Sequence, residues 1–69
     1  MTMKHITRQD INKTYVIKEC TNQRLNELGI LPGTIIRVVK YVSGMLQIKV
    51  EGSDIAIREE TGKNIKVLL

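Results

Sequence analysis

Apolar and polar positions alternate most regularly in the second half of the chain. In the segment MLQIKVE, Leu46, Ile48 and Val50 alternate with polar residues, which predicts a strand with one buried face. The segments KTYVIK, IAIR and IKVLL also place an apolar residue at every second position. We therefore predict strands at all of these segments.

The segment TIIRVVKYV is long enough for a strand but carries apolar residues on both faces. One face holds Ile36 and Val38. The other face holds Ile35, Arg37, Val39 and Tyr41. The pattern predicts a strand here and leaves its register open.

The segment ECTNQRLNELG predicts a short helix. Thr21 or Asn22 can cap its first turn, Leu25 and Leu28 share one side, and Gly29 suits the left-handed residue that ends a helix. So short a helix is unstable alone, so its leucine side must pack on the rest of the molecule.

Turn residues separate the predicted strands. Pro32 and Gly33 fit the central positions of a type II turn, while SG and GSD predict reversals and EETGKN a turn or one helical turn. Five short strands, with one short helix inserted after the first strand, predict a mainly β fold, a small β-barrel. We predict one domain over residues 1–69, in which 1–12 form a loosely ordered lead-in anchored by Ile6 and Ile11.

Composition narrows the class of protein. Hydrophobic residues make up 42% of the 69 residues without any Phe or Trp, which predicts an aliphatic core, and the single Cys20 rules out an intrachain disulfide. No apolar run reaches the length of a membrane span, and the first residues lack a signal-peptide core, so we expect a cytoplasmic protein. The net charge of +4 permits nucleic acid, an acidic membrane or an acidic protein as partner.

Residues for catalysis are few. A nucleophile and its base would have to be Cys20 and His5, and the second of these lies in the lead-in. A half-buried structural cysteine is the simpler interpretation, so we predict a protein that is not an enzyme.

No metal or cofactor site is predicted either. A metal would need a set of ligands that meet only if the N-terminus folds back, namely His5, Asp10, Glu19 and Cys20. The adjacent Glu59 and Glu60 are more simply solvated. No glycine-rich phosphate loop is present.

Two kinds of binding remain. Nucleic-acid binding is not expected, because only Tyr15 and Tyr41 offer stacking surfaces and the basic residues are mixed with acidic ones. A protein contact is suggested by the bend LGILPGT, which either exposes Ile30 or Leu31 or uses both to cap the barrel. An edge or an apolar patch also allows weak self-association.

The pattern RL-x-x-LG-x-x-PG-T in RLNELGILPGT is followed by IIRVVKY, LQIKVEG and IAIREETGKNIKV. Over about Arg24 to Val67 this order resembles the FeoA family of ferrous-iron transport accessory proteins. The resemblance implies an SH3-like β-barrel in the cytoplasm that docks on the membrane ferrous-iron transporter, which carries a cytosolic GTP-binding domain, and modulates it without chemistry of its own. It further implies that the docking surface lies near the bend, with these residues at or close to it: Arg24, Leu28, Ile30 and Leu31.

Two other functions stay open. A similar SH3-like domain forms part of metal-dependent repressors, so the chain is alternatively a detached regulatory module that acts on a repressor or metal sensor. A small basic barrel that binds RNA is the third possibility, and its affinity would fall steeply with salt.

Overall fold

The computed structural model describes residues 2–69, which form one antiparallel sheet with a short helix. The strands are β1 (Met3–His5), β2 (Thr14–Cys20), β3 (Ile35–Val42), β4 (Met45–Val50), β5 (Ser53–Arg58) and β6 (Ile65–Leu68). The helix α1 spans Gln23–Glu27, and two 3₁₀ helices span Arg8–Asp10 and Glu59–Asn64.

The six strands lie in the order β1-β6-β2-β3-β4-β5. The mainly β architecture, with a short helix after the first long strand, agrees with the prediction. The sheet has one strand more than the five predicted, and within residues 2–69 its end strands β1 and β5 do not pair with each other. The sheet is therefore strongly curved around the core without being a closed barrel.

The first residues of the chain are more ordered than predicted. Instead of a loose lead-in, Met3–His5 pair with β6, and Ile6 is completely buried. Ile11, the other predicted anchor, is 37% exposed. Met1, part of the same predicted segment, lies outside the described residues.

The core is aliphatic, as the composition predicts. The alternation in β4 is confirmed, because Leu46, Ile48 and Val50 are all buried. The other buried apolar side chains come from nearly every element: Ile6, Ile17, Leu25, Ile30, Ile36, Val38, Ile57, Ile65 and Val67. The sheet curves around these side chains, and α1 covers one end of them through Leu25.

A β-bulge in β3 explains why the alternation of its core-facing residues shifts after Val38. Val38 pairs with Ile48, but the next pair of β4 and β3 is Gln47 with Lys40, so Val39 is an extra residue. An extra residue reverses which side the following positions face. Tyr41 therefore packs against the core instead of sharing the outer face with the residues before the bulge.

The predicted type II turn is confirmed. The amide of Thr34 donates to the carbonyl oxygen of Leu31 at 3.1 Å, and Gly33 between them has φ of 89°. An L-amino acid with a side chain is strained at that φ, so glycine is required there. The turn fixes the direction in which the bend leads into β3.

Candidate functional site

The helix next to the bend is held at both ends by hydrogen bonds. Asn22, one of the two predicted caps, accepts a hydrogen bond at its side-chain oxygen from the Leu25 amide at 3.2 Å. Leu25 is buried against the sheet, but Leu28, predicted on the same side, is 52% exposed. The helix ends at Glu27, so Leu28 no longer follows the helical face that packs on the core.

The C-terminus of α1 forms a Schellman motif. The amide of Ile30 donates to the Leu25 carbonyl oxygen, and the amide of Gly29 to that of Asn26, both at 3.1 Å. Gly29 is in the left-handed conformation with φ of 97°. This motif folds the residue after the glycine back onto the helix, where it makes an apolar contact with the last turn. Ile30 is therefore fully buried beside Leu25.

The turn after the helix is attached to β2. The Gly33 amide donates to the Ile17 carbonyl oxygen at 2.7 Å, and the Ile17 amide donates to the Thr34 carbonyl oxygen at 2.8 Å. Ile17 is itself a core residue. These bonds fix the bend to the sheet while the side chain of Leu31, 46% exposed, points away from the core.

Of the four residues predicted near a docking surface, the structure leaves three accessible. Arg24, Leu28 and Leu31 are exposed around the short helix and its bend, and we call these three the bend surface. Ile30 was also predicted at this surface, but its side chain is completely buried. The prediction of an exposed contact by Ile30 is therefore wrong. The Gly29-Ile30 pair after the helix was the sequence signal of a Schellman motif and of this burial.

A second exposed apolar feature was not predicted. On the outer face of the sheet, Met3 pairs with Leu68 and Val16 pairs with Ile35. Because Ile17 pairs with Val67, Val16 lies beside Leu68, and both line one shallow groove with Ile35. We call this line of cross-strand neighbours the outer row: Met3, Leu68, Val16 and Ile35.

The outer row lies between polar rows. On one side, Thr14 pairs with Arg37, which in turn pairs with Lys49 of β4. On the other side, His5 and Glu19 both pair with Lys66. Met3, Val16 and Ile35 of this row are exposed, and Leu68 is half-buried. The sequence alone did not reveal the outer row, because each of its four members comes from a different strand.

A charged cluster beneath β1 was also missed by the sequence analysis. Asp10 is completely buried and accepts hydrogen bonds from Lys4 at 2.5 Å, from the Thr7 amide at 2.9 Å and from the Tyr15 hydroxyl at 2.8 Å. Thr7 and Asp10 form a capping box around the first 3₁₀ helix, in which the Thr7 side chain accepts from the Asp10 amide and the Asp10 carboxylate accepts from the Thr7 amide. The Thr7 side chain also accepts from the Gln9 amide. The spacing of Thr7 and Asp10 was the available sequence signal.

The cluster shifts the pKa of two of its groups, Asp10 and Tyr15. Burial by itself raises the pKa of a carboxyl, but the hydrogen bonds from Lys4, Thr7 and Tyr15 and the charge of Lys4 outweigh it and lower the pKa of Asp10. Burial, the hydrogen bond to Asp10 and the negative charge of that residue raise the pKa of Tyr15. The cluster therefore favours a charged Asp10 and a neutral Tyr15, an arrangement that ties the N-terminal segment to β2.

The residues considered for chemistry do not converge. Cys20 packs against the core and its thiol points to the Asn22 carbonyl oxygen at 3.8 Å, whereas His5 lies on the outer face of β1. Across residues 2–69, no three side chains of His, Cys, Asp or Glu lie close enough to hold a metal ion. Glu59 instead accepts a hydrogen bond from the Arg8 amide at 3.2 Å, and Glu60 is exposed.

Both tyrosine rings contact a cationic side chain of the same molecule. Lys4 lies 5.8 Å from the centre of the Tyr15 ring, and the guanidinium of Arg8 lies 5.1 Å from that of Tyr41. Each ring also packs against the core. Base stacking would have to displace these cations.

The curved antiparallel sheet with a short helix and a 3₁₀ helix before its last strand belongs to the class of small SH3-like β domains. The family model of the FeoA domain matches residues 6–69, so the chain belongs to the FeoA family. A crystal structure of an iron uptake regulatory protein (FeoA) has a TM-score of 0.82 to this chain at 19% sequence identity, with 96% of each chain covered. No curated protein sequence matches the chain.

These findings confirm the resemblance and the SH3-like fold. The FeoA family is a family of small accessory domains associated with Feo iron transport systems, and membership in it supports a broad role in iron uptake or its regulation. In residues 2–69 no helix is both long and apolar enough to cross a membrane.

Proposed function

We propose that this protein is a cytoplasmic accessory protein of ferrous-iron uptake that binds the cytosolic GTP-binding domain of the membrane ferrous-iron transporter through the bend surface. The protein modulates the transporter and performs no catalysis itself. The observation that carries this proposal is the exposure of Leu28 and Leu31 on a bend that is fixed to the core.

The rigidity of the bend supports a role in binding. A helix cap, a Schellman motif and a turn bonded to β2 hold the backbone on either side of Leu28 and Leu31. Side chains that are already positioned lose little conformational entropy when a partner covers them. The exposed Arg24 adds a polar contact at the rim of the two leucines, the usual composition of a small protein interface.

The proposal is tested by titrating the labelled protein with the isolated GTP-binding domain of the ferrous-iron transporter encoded in the same genome, while backbone amide signals are recorded by NMR. We expect signals from residues 24–34 to shift, and binding to be lost in Leu28→Glu and Leu31→Glu. The matched control is Val42→Glu, because Val42 is 54% exposed and lies at the far end of β3.

Each variant is first checked for a native amide spectrum. Loss of binding in the two leucine variants alone supports the proposed surface. Equal loss in Val42→Glu, or binding that survives both leucine variants, removes the bend surface from the proposal. Absence of any shift with a folded GTP-binding domain refutes direct docking to that domain.

A further inference from the structure

The strand β5 has one free edge. It pairs with β4 along its whole length, from Val50 with Ser53 to Met45 with Arg58. It is the last strand in the order of the sheet, and within residues 2–69 no strand pairs with its other side. A free edge presents backbone groups that can pair with another chain.

The turn between β4 and β5 determines which backbone groups point outward. Glu51 and Gly52 have φ of 50° and 82°, which identifies a two-residue type I′ turn. In such a hairpin the flanking Val50 and Ser53 exchange both backbone hydrogen bonds, and every second residue does the same. The remaining residues of β5 direct their amide and carbonyl groups to the free edge: Asp54, Ala56 and Arg58.

This edge is open to a partner. The side chains of Asp54, Ala56 and Arg58 are all exposed. After Arg58 the Glu59 amide donates to the Gly44 carbonyl oxygen at 3.0 Å, so the chain leaves β5 across the end of β4. The following 3₁₀ helix contacts β5, which it directly follows, and also packs against β1, β4 and β6.

We infer that β5 pairs antiparallel with β5 of a second copy of this chain, around a two-fold axis at Ala56. In this register residues at equal distances from Ala56 face each other. Asp54 and Arg58 are each two positions from it, so each Asp54 faces the partner's Arg58, and the opposite charges meet twice in the dimer. The half-buried Ile55 faces the partner's Ile57 on the inner side.

The opposite edge of the sheet lacks this self-complementarity. The strand β1 has only three residues, and antiparallel pairing around Lys4 would place Met3 against the partner's His5. No opposite charges meet there. The charge pattern therefore assigns the second copy to the β5 edge and not to the β1 edge. Pairing at β5 leaves the bend surface free.

Sedimentation equilibrium of the purified protein from micromolar to millimolar concentration tests the dimer. Asp54→Arg gives the edge two positive charges and Arg58→Asp gives it two negative charges, so each variant alone repels its own copy. We expect each to dimerise roughly tenfold or more weakly than the wild type. An equimolar mixture of the two variants should recover the association, because opposite charges then face each other at both positions.

A second pair of variants tests the backbone pairing at the axis. Ala56→Pro removes an amide that points to the free edge and is expected to abolish dimerisation, whereas Ala56→Ser keeps the amide and the dimer. Amide hydrogen exchange should slow at Asp54, Ala56 and Arg58 as the concentration rises. Native amide spectra at low concentration exclude unfolding as the cause.

Three results would each overturn the inference. The first is a wild-type protein that stays monomeric at millimolar concentration. Pairing of β5 with an extended peptide of another protein would not rescue the inference in that case. The second is a mixture that associates no better than its separate components. The third is a dimer whose concentration-dependent protection falls on β1 instead of β5.

Discussion

The hydroxyl of Tyr15 donates a hydrogen bond to Oδ1 of the fully buried Asp10 at 2.8 Å, and thereby joins the first 3₁₀ helix to β2. Lys4 of β1 donates to the same oxygen. One carboxylate thus connects three separate segments of the first fifteen residues. This cluster explains why a polar N-terminal sequence is held against the sheet.

Asp10→Asn should destabilise the protein. The carboxamide side chain of asparagine offers Lys4 no negative charge and leaves part of the buried cluster without a hydrogen-bond partner. We therefore expect a loss of about 2 kcal/mol in the free energy of unfolding. Urea unfolding followed by circular dichroism measures this loss. Glu60→Gln, at an exposed carboxylate, is the control and should change the stability by less than about 0.5 kcal/mol. Equal effects of both variants would contradict the structural role of Asp10.

The stability should depend on Asp10 at acidic pH. The native pKa of Asp10 is lower than its ordinary value of 3.8, so the unfolded chain binds the proton first as the pH falls. The stabilisation by Asp10 is therefore complete above that value and is lost as the pH falls through the native pKa. We expect the difference in stability between wild type and Asp10→Asn to shrink in this range, as measured by urea unfolding at a series of pH values. A difference that stays constant down to the lowest pH would contradict the lowered pKa.

Tyr15 should limit stability at alkaline pH. Its native pKa is raised above the ordinary value of 10.0, so the stabilisation is complete below pH 10.0 and is lost as the pH rises through the native pKa. Ultraviolet titration should show one tyrosine that ionises late. In Tyr15→Phe the late step should disappear, whereas Tyr41→Phe should retain it.

Ile30 and Leu31 are adjacent but should respond very differently to truncation. Ile30→Ala removes a fully buried side chain and should cost about 3 kcal/mol of stability, while Leu31→Ala should cost about 0.5 kcal/mol or less. Thermal and urea unfolding of both variants measure the difference. Similar losses in the two variants would mean that the Schellman motif does not bury Ile30 as described.

Gly62 should not tolerate a side chain. A Cβ at this position would lie 3.0 Å from the carbonyl oxygen of Ile6 and 3.3 Å from its Cγ1. Because a backbone oxygen cannot move aside cheaply, we expect Gly62→Ala to lower the stability by about 2 kcal/mol. Ala56→Ser, which adds one atom at an exposed site, is the control, and both are measured by urea unfolding below the concentration at which the chain associates. A neutral Gly62→Ala would show that the second 3₁₀ helix can shift away from Ile6.

The elements that the sequence predicts correctly are those specified by neighbouring residues. The regular alternation in β4, the helix stop at Gly29 and the type II turn at Pro32-Gly33 each depend on a few consecutive positions. Backbone conformation and local burial decide such features, so a short segment is sufficient to recognise them.

The features that were missed depend on residues far apart in the chain. The outer row needs the register of four strands, and the strand β1 exists only because β6, more than sixty positions later, pairs with it. At the candidate site, by contrast, the burial of Ile30 beside the exposed Leu31 had a local signal, the Gly29-Ile30 pair of the Schellman motif, which apolar alternation does not reveal. Neither register nor burial of this kind is encoded in local alternation.

Val39 is an extra residue, so the core-facing positions of β3 are Ile36 and Val38 before it and Tyr41 after it. Deletion of Val39 would remove the bulge and leave Lys40 next to Val38, as in a regular strand. Both residues would keep their partners in β4 and their sides of the sheet, because consecutive residues of a strand face opposite sides. The bulge therefore gives β3 one spare residue, whereas a regular strand that loses one residue reverses the facing of all the residues that follow.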